Sequence, residues 1–412
     1  MNTSAENAAA LLEDARTLQR DVADLRHRLH EEPEIGLDLP RTQQKVLDWL
    51  EPLGYEITLG TDTTSVTAVL RGGSGDGIGA APAVLLRGDM DALPVQERTG
   101  LAYSSRVDGV MHACGHDLHT AMLAGAATLL AGRREQLTGD VVLMFQPGEE
   151  GFDGASIMIR EGILDAAGPR VCAAYGLHVA SAMAPGGTVM GRPGPVMSAS
   201  DGLVVTVRGA GGHGSAPFLA RDPVPAAAEM VIALQALVTR QFDIFDPIVI
   251  SVGLLQAGTK RNVIPDEARF EATIRSYSAA NAEKLRIAIP RLLQGIAAAH
   301  GLEAEVNYLD EYPVTVNDDA ETAFFRHQAE ELFGTTRYFD MPSPLAGSED
   351  FSRILQEVPG SFHFLSAVPE GTNFATAPFN HSAEAVFGDQ ILADGTALYA
   401  RLAIERLAKE TS

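Results

Sequence analysis

The chain has 412 residues, more than the about 250–300 at which one core stops growing, so about two domains are expected. Its 46% hydrophobic and 21% charged residues suit a globular enzyme, and 54 acidic against 31 basic residues leave a net charge of −23, which argues against a nucleic acid or an anionic membrane as partner. The cysteines are Cys114 and Cys172 alone, which excludes a disulfide framework and makes a reducing, cytoplasmic location the expectation.

Residues 1–13 lack a basic start followed by an apolar stretch, so no secretory signal is expected, and no run is apolar enough to span a membrane. Leu11, Leu12, Leu18, Val22, Leu25 and Leu29 recur at roughly helical spacing and predict a helix over 8–31, with Ser4 as a cap and Pro33 as its end. A second helix follows over 42–53, closed by Gly54. Short β-type runs at 64–71 and 83–87 flank a Gly-rich loop, Gly72-Gly73-Ser74-Gly75-Asp76-Gly77. An Ala/Leu-rich helix over 120–133 comes next, then apolar strands at 140–145 and 171–178. Apolar strands without polar alternation, interleaved with helices, predict an α/β fold with a mostly parallel sheet flanked by helices. Near residue 200 the pattern changes. Strands at 202–208, 248–255 and 267–276 and helices at 223–241 and 281–300 make a compact α+β unit. The expected organisation is a larger domain of residues 1–199 and 309–412, with a smaller domain inserted at 200–308.

Chemistry concentrates in short segments. His112-Ala113-Cys114-Gly115-His116-Asp117-Leu118-His119 gathers three histidines and a cysteine, and in an extended stretch Cys114 and His116 share a face. Thiolate and imidazole suit zinc or another transition metal, and a following helix would aim its positive end at them. A capped helix start with incidental histidines fits the same residues. Glu149 and Glu150 follow an apolar strand, where one carboxylate can hold a metal and the other a water, although a solvated acidic turn reads the same way. Asp91, after another apolar strand, can orient a metal-bound histidine. His178 closes a further apolar run and His381 follows a turn at Pro378, and neither is convincing alone, a lone histidine such as His178 being usually an ordinary hydrogen-bonded one. In the inserted unit His213 lies in a Gly-rich stretch, near Asn262, and Arg275 sits in a strand where it could clasp a carboxylate or stand exposed. That Gly-rich stretch matches no phosphate-binding or dinucleotide fingerprint.

Taken in order, Gly-Asp-Met-Asp-Ala-Leu-Pro, His-Ala-Cys-Gly-His-Asp-Leu-His-Thr, Gln-Pro-Gly-Glu-Glu-Gly, Gly-Leu-His-Val, Gly-Gly-His-Gly-Ser, Asn-Val-Ile-Pro-Asp, Ser-Glu-Asp-Phe and Asn-His-Ser resemble the amidohydrolase branch of the aminoacylase/carboxypeptidase-G-like metallopeptidases. The likeness runs from about Leu25 to Phe387. It implies that the larger domain is catalytic and that Cys114, His116, Glu150, His178 and His381 bind two divalent metal ions, manganese or zinc, with cobalt or nickel as alternatives. It implies Glu149 as general base, His213 as oxyanion donor, and Asn262 and Arg275 as holders of the substrate carboxylate. It also implies a lid domain that joins two subunits into a homodimer. Relatives often carry a second histidine after the Gly-Gly-His, following a proline. Here Pro217 is followed by Phe218, which bears on specificity and leaves the metal ligands untouched.

The expected reaction is hydrolysis of N-acyl-L-amino acids to a carboxylate and a free amino acid. Dipeptidase or carboxypeptidase action on small peptides, or a metal-stabilised binding protein without catalysis, are the alternatives. A cysteine hydrolase with Cys114 as nucleophile and His116 as base is disfavoured, because such pairs are usually distant in sequence.

Overall fold

The computed structural model describes residues 3–73 and 81–410 and, within the first helix, side chains from Glu6 onward. The Ser4 cap and residues 74–77 of the Gly-rich loop therefore lie outside the described residues. The apolar stripe of the first helix, α1 (Thr3–Glu31), is buried at Leu11, Val22, Leu25 and Leu29. In α2 (Pro40–Leu50) proline takes a first-turn position, where its missing N–H costs nothing. The chain then tightens into a 3-10 turn, Glu51–Leu53, and leaves it through Gly54 at φ 73°. The strand β1 (Glu56–Leu59) is exposed along its length, although Ile57 and Leu59 alternate with Glu56 and Thr58. It forms a hairpin with β2 (Val66–Leu70).

Four elements then frame the site: β3 (Ala83–Asp89), α3 (His116–Ala131), β4 (Asp140–Gln146) and, after the short helix α4 (Gly154–Arg160), β5 (Ala173–Ala180). The large sheet has eight strands in the order β1-β2-β4-β3-β5, then Gly360–Ser366, Val189–Gly191 and Tyr338–Asp340. Its centre is parallel: β3 pairs with β4 and β5, and Gly360–Ser366 pairs with β5. Antiparallel pairs lie outside it, at β1 with β2, β2 with β4, and Gly360–Ser366 with Val189–Gly191, and the edge strand Tyr338–Asp340 is again parallel to Val189–Gly191. The link between β1 and β2 is a hairpin, too short for a parallel crossover, so that pair is antiparallel. All residues of β3, β4 and Gly360–Ser366 are buried, as strands covered on both faces must be.

The α3 helix starts at His116, four residues before its Ala/Leu pattern begins, and is buried nearly all round. Gly125 allows its close approach to α1 and to the last helix, Leu392–Glu410, because a Cβ there would lie 2.7 Å from Thr396 Oγ1 and 2.9 Å from Val22 Cγ2.

The chain divides into two compact units, Met1–Gly194 with Val316–Ser343 and Arg353–Ser412, and Pro195–Thr315 with Pro344–Ser352. The second unit is wider than the 200–308 read from the sequence and takes back a short segment from beyond it. Its antiparallel sheet has the order Ile248–Ala257, Glu267–Ser276, Ala199–Arg208, Glu303–Tyr312. Helices Pro223–Gln241 and Ala279–Ala299 share a core with this sheet through Met230, Leu234, Leu285 and Leu293.

Candidate metal centre

Parallel register brings the chemistry to one edge of the large sheet. Asp89 is level with Gln146, and Arg87 is level with Gly176, so the ends of β3, β4 and β5 align. Beyond β4 the chain turns through Gly148 at φ 72° and presents Glu149 and Glu150. Their backbone N–H groups donate to the two oxygens of buried Asp91, each at 3.1 Å. Asp91 also accepts from His116 Nδ1 through its backbone oxygen, at 2.9 Å. One buried aspartate thus fixes both the acidic turn and a histidine tautomer.

Cys114 and His116 do not sit in an extended stretch. Gly115 between them is left-handed at φ 87°, and a Cβ there would meet Val179 Cγ2 at 2.3 Å. The turn lifts Cys114 off the start of α3 and leaves His116 in its first turn. From the far end of the chain His381 joins them. Its own φ is 72°, unusual for a residue with a side chain, and its N–H donates to Ala113 O at 2.8 Å. The neighbouring Asn380 donates to Cys114 O at 3.1 Å and to Val179 O at 3.0 Å, and accepts from Ser181 N at 2.9 Å. The sequence reading gave Asn380 no role. Its adjacency to His381 was the only available signal.

The five side chains named as ligands converge. Cys114 Sγ lies 3.4 Å from His178 Nε2 and 3.3 Å from His381 Nε2, and His381 Nε2 lies 3.2 Å from Glu150 Oε1. Two triads therefore share Cys114: one with His116 and His178, the other with Glu150 and His381. Within each triad the ligand atoms fall within 4.8 Å of one another, and a Glu149 carboxylate oxygen stands at the same range from His116 and Glu150. Ligand atoms about 2.0–2.3 Å from a tetrahedral zinc are themselves about 3.3–3.8 Å apart, so the spacing fits. His116 Nε2 and Glu150 Oε1 are buried without a hydrogen-bonding partner among the described residues, although each lies within ion-pair distance of a neighbour. Unpaired buried ligand atoms of this kind fit a cation between them.

The electrostatics agree. The hydrogen bond to Cys114 and the Glu150 carboxylate alongside hold the His381 imidazole up to about 10. Burial pulls His116 down, but Asp89 and Cys114 outweigh it and hold this imidazole well above its ordinary value. Burial, with His119 alongside, drives His178 well below its own. His178 is thus held toward the neutral form that ligates a metal, and His116 and His381 toward a charged form whose proton a bound cation would replace.

His119 is excluded as a ligand, because both ring nitrogens are used. Nδ1 donates to Asp89 Oδ1 at 2.5 Å and Nε2 accepts from Val179 N at 2.7 Å. Arg87 in turn holds Asp89 at 2.6 Å. This relay fixes β5 one residue beyond His178 and was not read from the sequence. His112 is buried, and burial pushes it down to about 3.

In the second unit, His213 and Asn262 are neighbours. His213 pairs with Val263 across a two-stranded ladder, Gly214 N donates to Asn262 O at 2.9 Å, and Ser215 Oγ lies 2.8 Å from His213 Nδ1. Both residues are exposed, and Phe218 beside them is 83% exposed. Arg275 lies elsewhere. It is level with Ser200, whereas Glu267, at the Asn262 end of the same strand, is level with Arg208. Over such a strand the separation is about 3.3 Å per residue, so Arg275 and Asn262 stand at opposite ends of the unit. Arg275 Nη1 is anchored on Ser200 Oγ at 2.8 Å and Thr273 Oγ1 at 2.6 Å.

Residues 85–405 match the family described as Peptidase family M20/M25/M40. Thermostable carboxypeptidase 1 of Saccharolobus solfataricus is 35% identical over 399 residues, covering 96% of this chain and 98% of its own. Hippurate hydrolase of Campylobacter jejuni is 36% identical over 400 residues, covering 96% and 99%. A dinuclear metal binding peptidase of the M20 family from Bacillus subtilis superposes with a TM-score of 0.79 at 30% identity, covering 95% of this chain and 99% of that one.

Proposed function

We propose, from the premise that this chain belongs to the M20/M25/M40 peptidase family, that it is a dinuclear metal-dependent amidohydrolase that cleaves N-acyl-L-amino acids to a carboxylate and a free amino acid. The observation that carries the reading is the sharing of Cys114 between the His116–His178 and Glu150–His381 triads, with Glu149 beside them. Cys114, His116, Glu150, His178 and His381 are the proposed ligands. Their mixed sulfur, nitrogen and oxygen set suits zinc or manganese, with cobalt and nickel as alternatives.

When bound, two such cations supply activation of water at neutral pH and polarisation of the scissile carbonyl. Glu149, 6% exposed and held by its backbone on Asp91, accepts the proton of the attacking water and later delivers it to the departing amine. His213 donates to the oxygen that gains charge as the carbonyl becomes tetrahedral. The exposure of His213 and Phe218 supports delivery of this group from the partner subunit in a homodimer. Asn262 at that end and Arg275 at the other are then proposed to hold the substrate carboxylate from different subunits. No helix among the described residues is long and apolar enough to cross a membrane, and the proposed location is the cytoplasm.

Elemental analysis of the purified protein with a panel of N-acyl amino acids tests the reading. Two zinc or manganese ions per chain and release of free amino acid are expected. The likeness to a carboxypeptidase favours one second reading, cleavage of short peptides at their free carboxyl end. Turnover of peptides without turnover of simple acyl amino acids would select it. Metal binding with hydrolysis of neither would leave a binding protein.

A further inference from the structure

Helix α1 contributes no proposed ligand, yet two of its side chains end one residue away from one. Arg26 and His30, four apart and so on one face of α1, both donate to the same oxygen of Asp117. Arg26 Nε lies 2.7 Å and His30 Nδ1 2.8 Å from Asp117 Oδ2, and none of the three side chains is more than 1% exposed. Asp117 follows His116 directly in the first turn of α3.

The outer ends of both donors are tied as well. Arg26 Nη1 reaches Asp389 Oδ1 at 3.2 Å, and His27 Nε2 holds the other oxygen of Asp389 at 2.8 Å. His30 Nε2 lies 3.4 Å from Glu97 Oε1, and Glu97 Oε2 accepts from Ser105 N at 2.6 Å. The charged cluster therefore joins α1, the loop leading to Cys114, the first turn of α3 and the approach to the last helix. A buried ion pair is weak evidence for stability, and α1 is already seated by Leu25 and Leu29. What two donors on one oxygen achieve is direction. They fix the rotation of the turn that carries His116.

We infer that Arg26 and His30 are positioning residues of the metal centre, acting through Asp117 to set the aim of the His116 imidazole. The inference rests on the proposed role of His116 as a ligand. Zinc affinity, measured by competition with a chelator and without substrate, separates it from the catalytic reading. His30→Leu removes the donor, and His30→Asn retains an N–H near the Nδ1 position. His30→Leu is expected to melt cooperatively, to bind zinc about 10–100-fold more weakly and to lose kcat more than KM, with His30→Asn recovering most of the loss. Arg26→Lys keeps the charge, loses the Nε donor and is expected to weaken zinc binding in the same way.

Wild-type zinc affinity in His30→Leu overturns the inference, as does equal impairment of His30→Asn. Should His30→Leu fail to fold, wild-type affinity in Arg26→Lys overturns it instead. A wild type that binds zinc and hydrolyses nothing overturns only the catalytic reading. One that binds none of zinc, manganese, cobalt or nickel overturns both.

Discussion

Replacing Asp91 by asparagine changes charge and almost no volume at the residue that holds the acidic turn. Asp91 accepts two backbone N–H groups, those of Glu149 and Glu150, at 3.1 Å each. Hydrogen bonds to a charged acceptor contribute about 1.5–3 kcal/mol apiece. Asparagine offers one carbonyl, so it retains one bond at neutral strength, near 1 kcal/mol, and turns an NH2 group toward the other donor. The net loss is on the order of 3 kcal/mol, or about a hundred-fold where it bears on the transition state. The anchor on His116 Nδ1 is a backbone oxygen and survives the change. The loss therefore falls on the Glu149–Glu150 turn. In Asp91→Asn, kcat for an N-acyl amino acid should fall about a hundred-fold, because small displacement of a catalytic group costs that much. Zinc should weaken at the half built on Glu150 and His381 and hold at the half built on His116 and His178. Steady-state kinetics beside a two-site zinc titration read both effects. Unchanged kcat with unchanged zinc binding would refute the reasoning, because Asp91 would then be dispensable to the turn.

Glu149→Gln should lower kcat by about 10²–10⁴-fold while both metals remain bound; loss of metal in elemental analysis would make Glu149 a ligand instead. Gly115→Ala should lower both the melting temperature and zinc content, because the added Cβ meets Val179 at 2.3 Å in a left-handed turn; wild-type melting would show that the turn tolerates a side chain. Chelation should abolish hydrolysis and lower Tm, and saturating zinc at 100 times its Kd should return about 2.7 kcal/mol of stability. Bonds from His30, Thr99 and the Ser105 N–H outweigh burial and pull the Glu97 carboxyl from 4.5 to about 2. A depressed carboxylate contributes stability that is present above its unfolded value and lost as pH falls toward its folded one. Glu97→Gln should therefore be less stable than the wild type by on the order of 2–3 kcal/mol at neutral pH, with the gap closing below pH about 4.5. Denaturant titrations across pH measure this, and a gap that persists at low pH contradicts it.

The sequence carried the proposed ligands because they sit in short segments of unusual composition, Glu150 and His178 at the ends of apolar runs. Register and turn geometry then did what spacing could not: the left-handed Gly115 replaced the extended stretch expected between Cys114 and His116. The start of α3 was misplaced by four residues because His116, Asp117 and His119 break the Ala/Leu pattern while lying inside the helix. The alternation of β1, Glu56-Ile57-Thr58-Leu59, is only four residues long and buries neither face, so it stands out little from the loops around it. Arg26 and His30 carry no signal in the apolar stripe by which the first helix is read. Only the fold reveals that their partner, Asp117, is 91 residues from one and 87 from the other.

The sheet that carries the candidate metal centre takes one of its inner strands, Gly360–Ser366, from late in the chain and seats it directly against β5. His381, which closes the second triad on Cys114, is 267 residues downstream of it. On the ribosome the first unit therefore has an unpaired edge on β5 until residue 366 has emerged. Pairings between such distant segments form slowly, because the loop between them must close first. Completion of the proposed second triad is thus deferred until residue 381 has emerged, so a chain cut short before it is left with the Cys114–His116–His178 group alone.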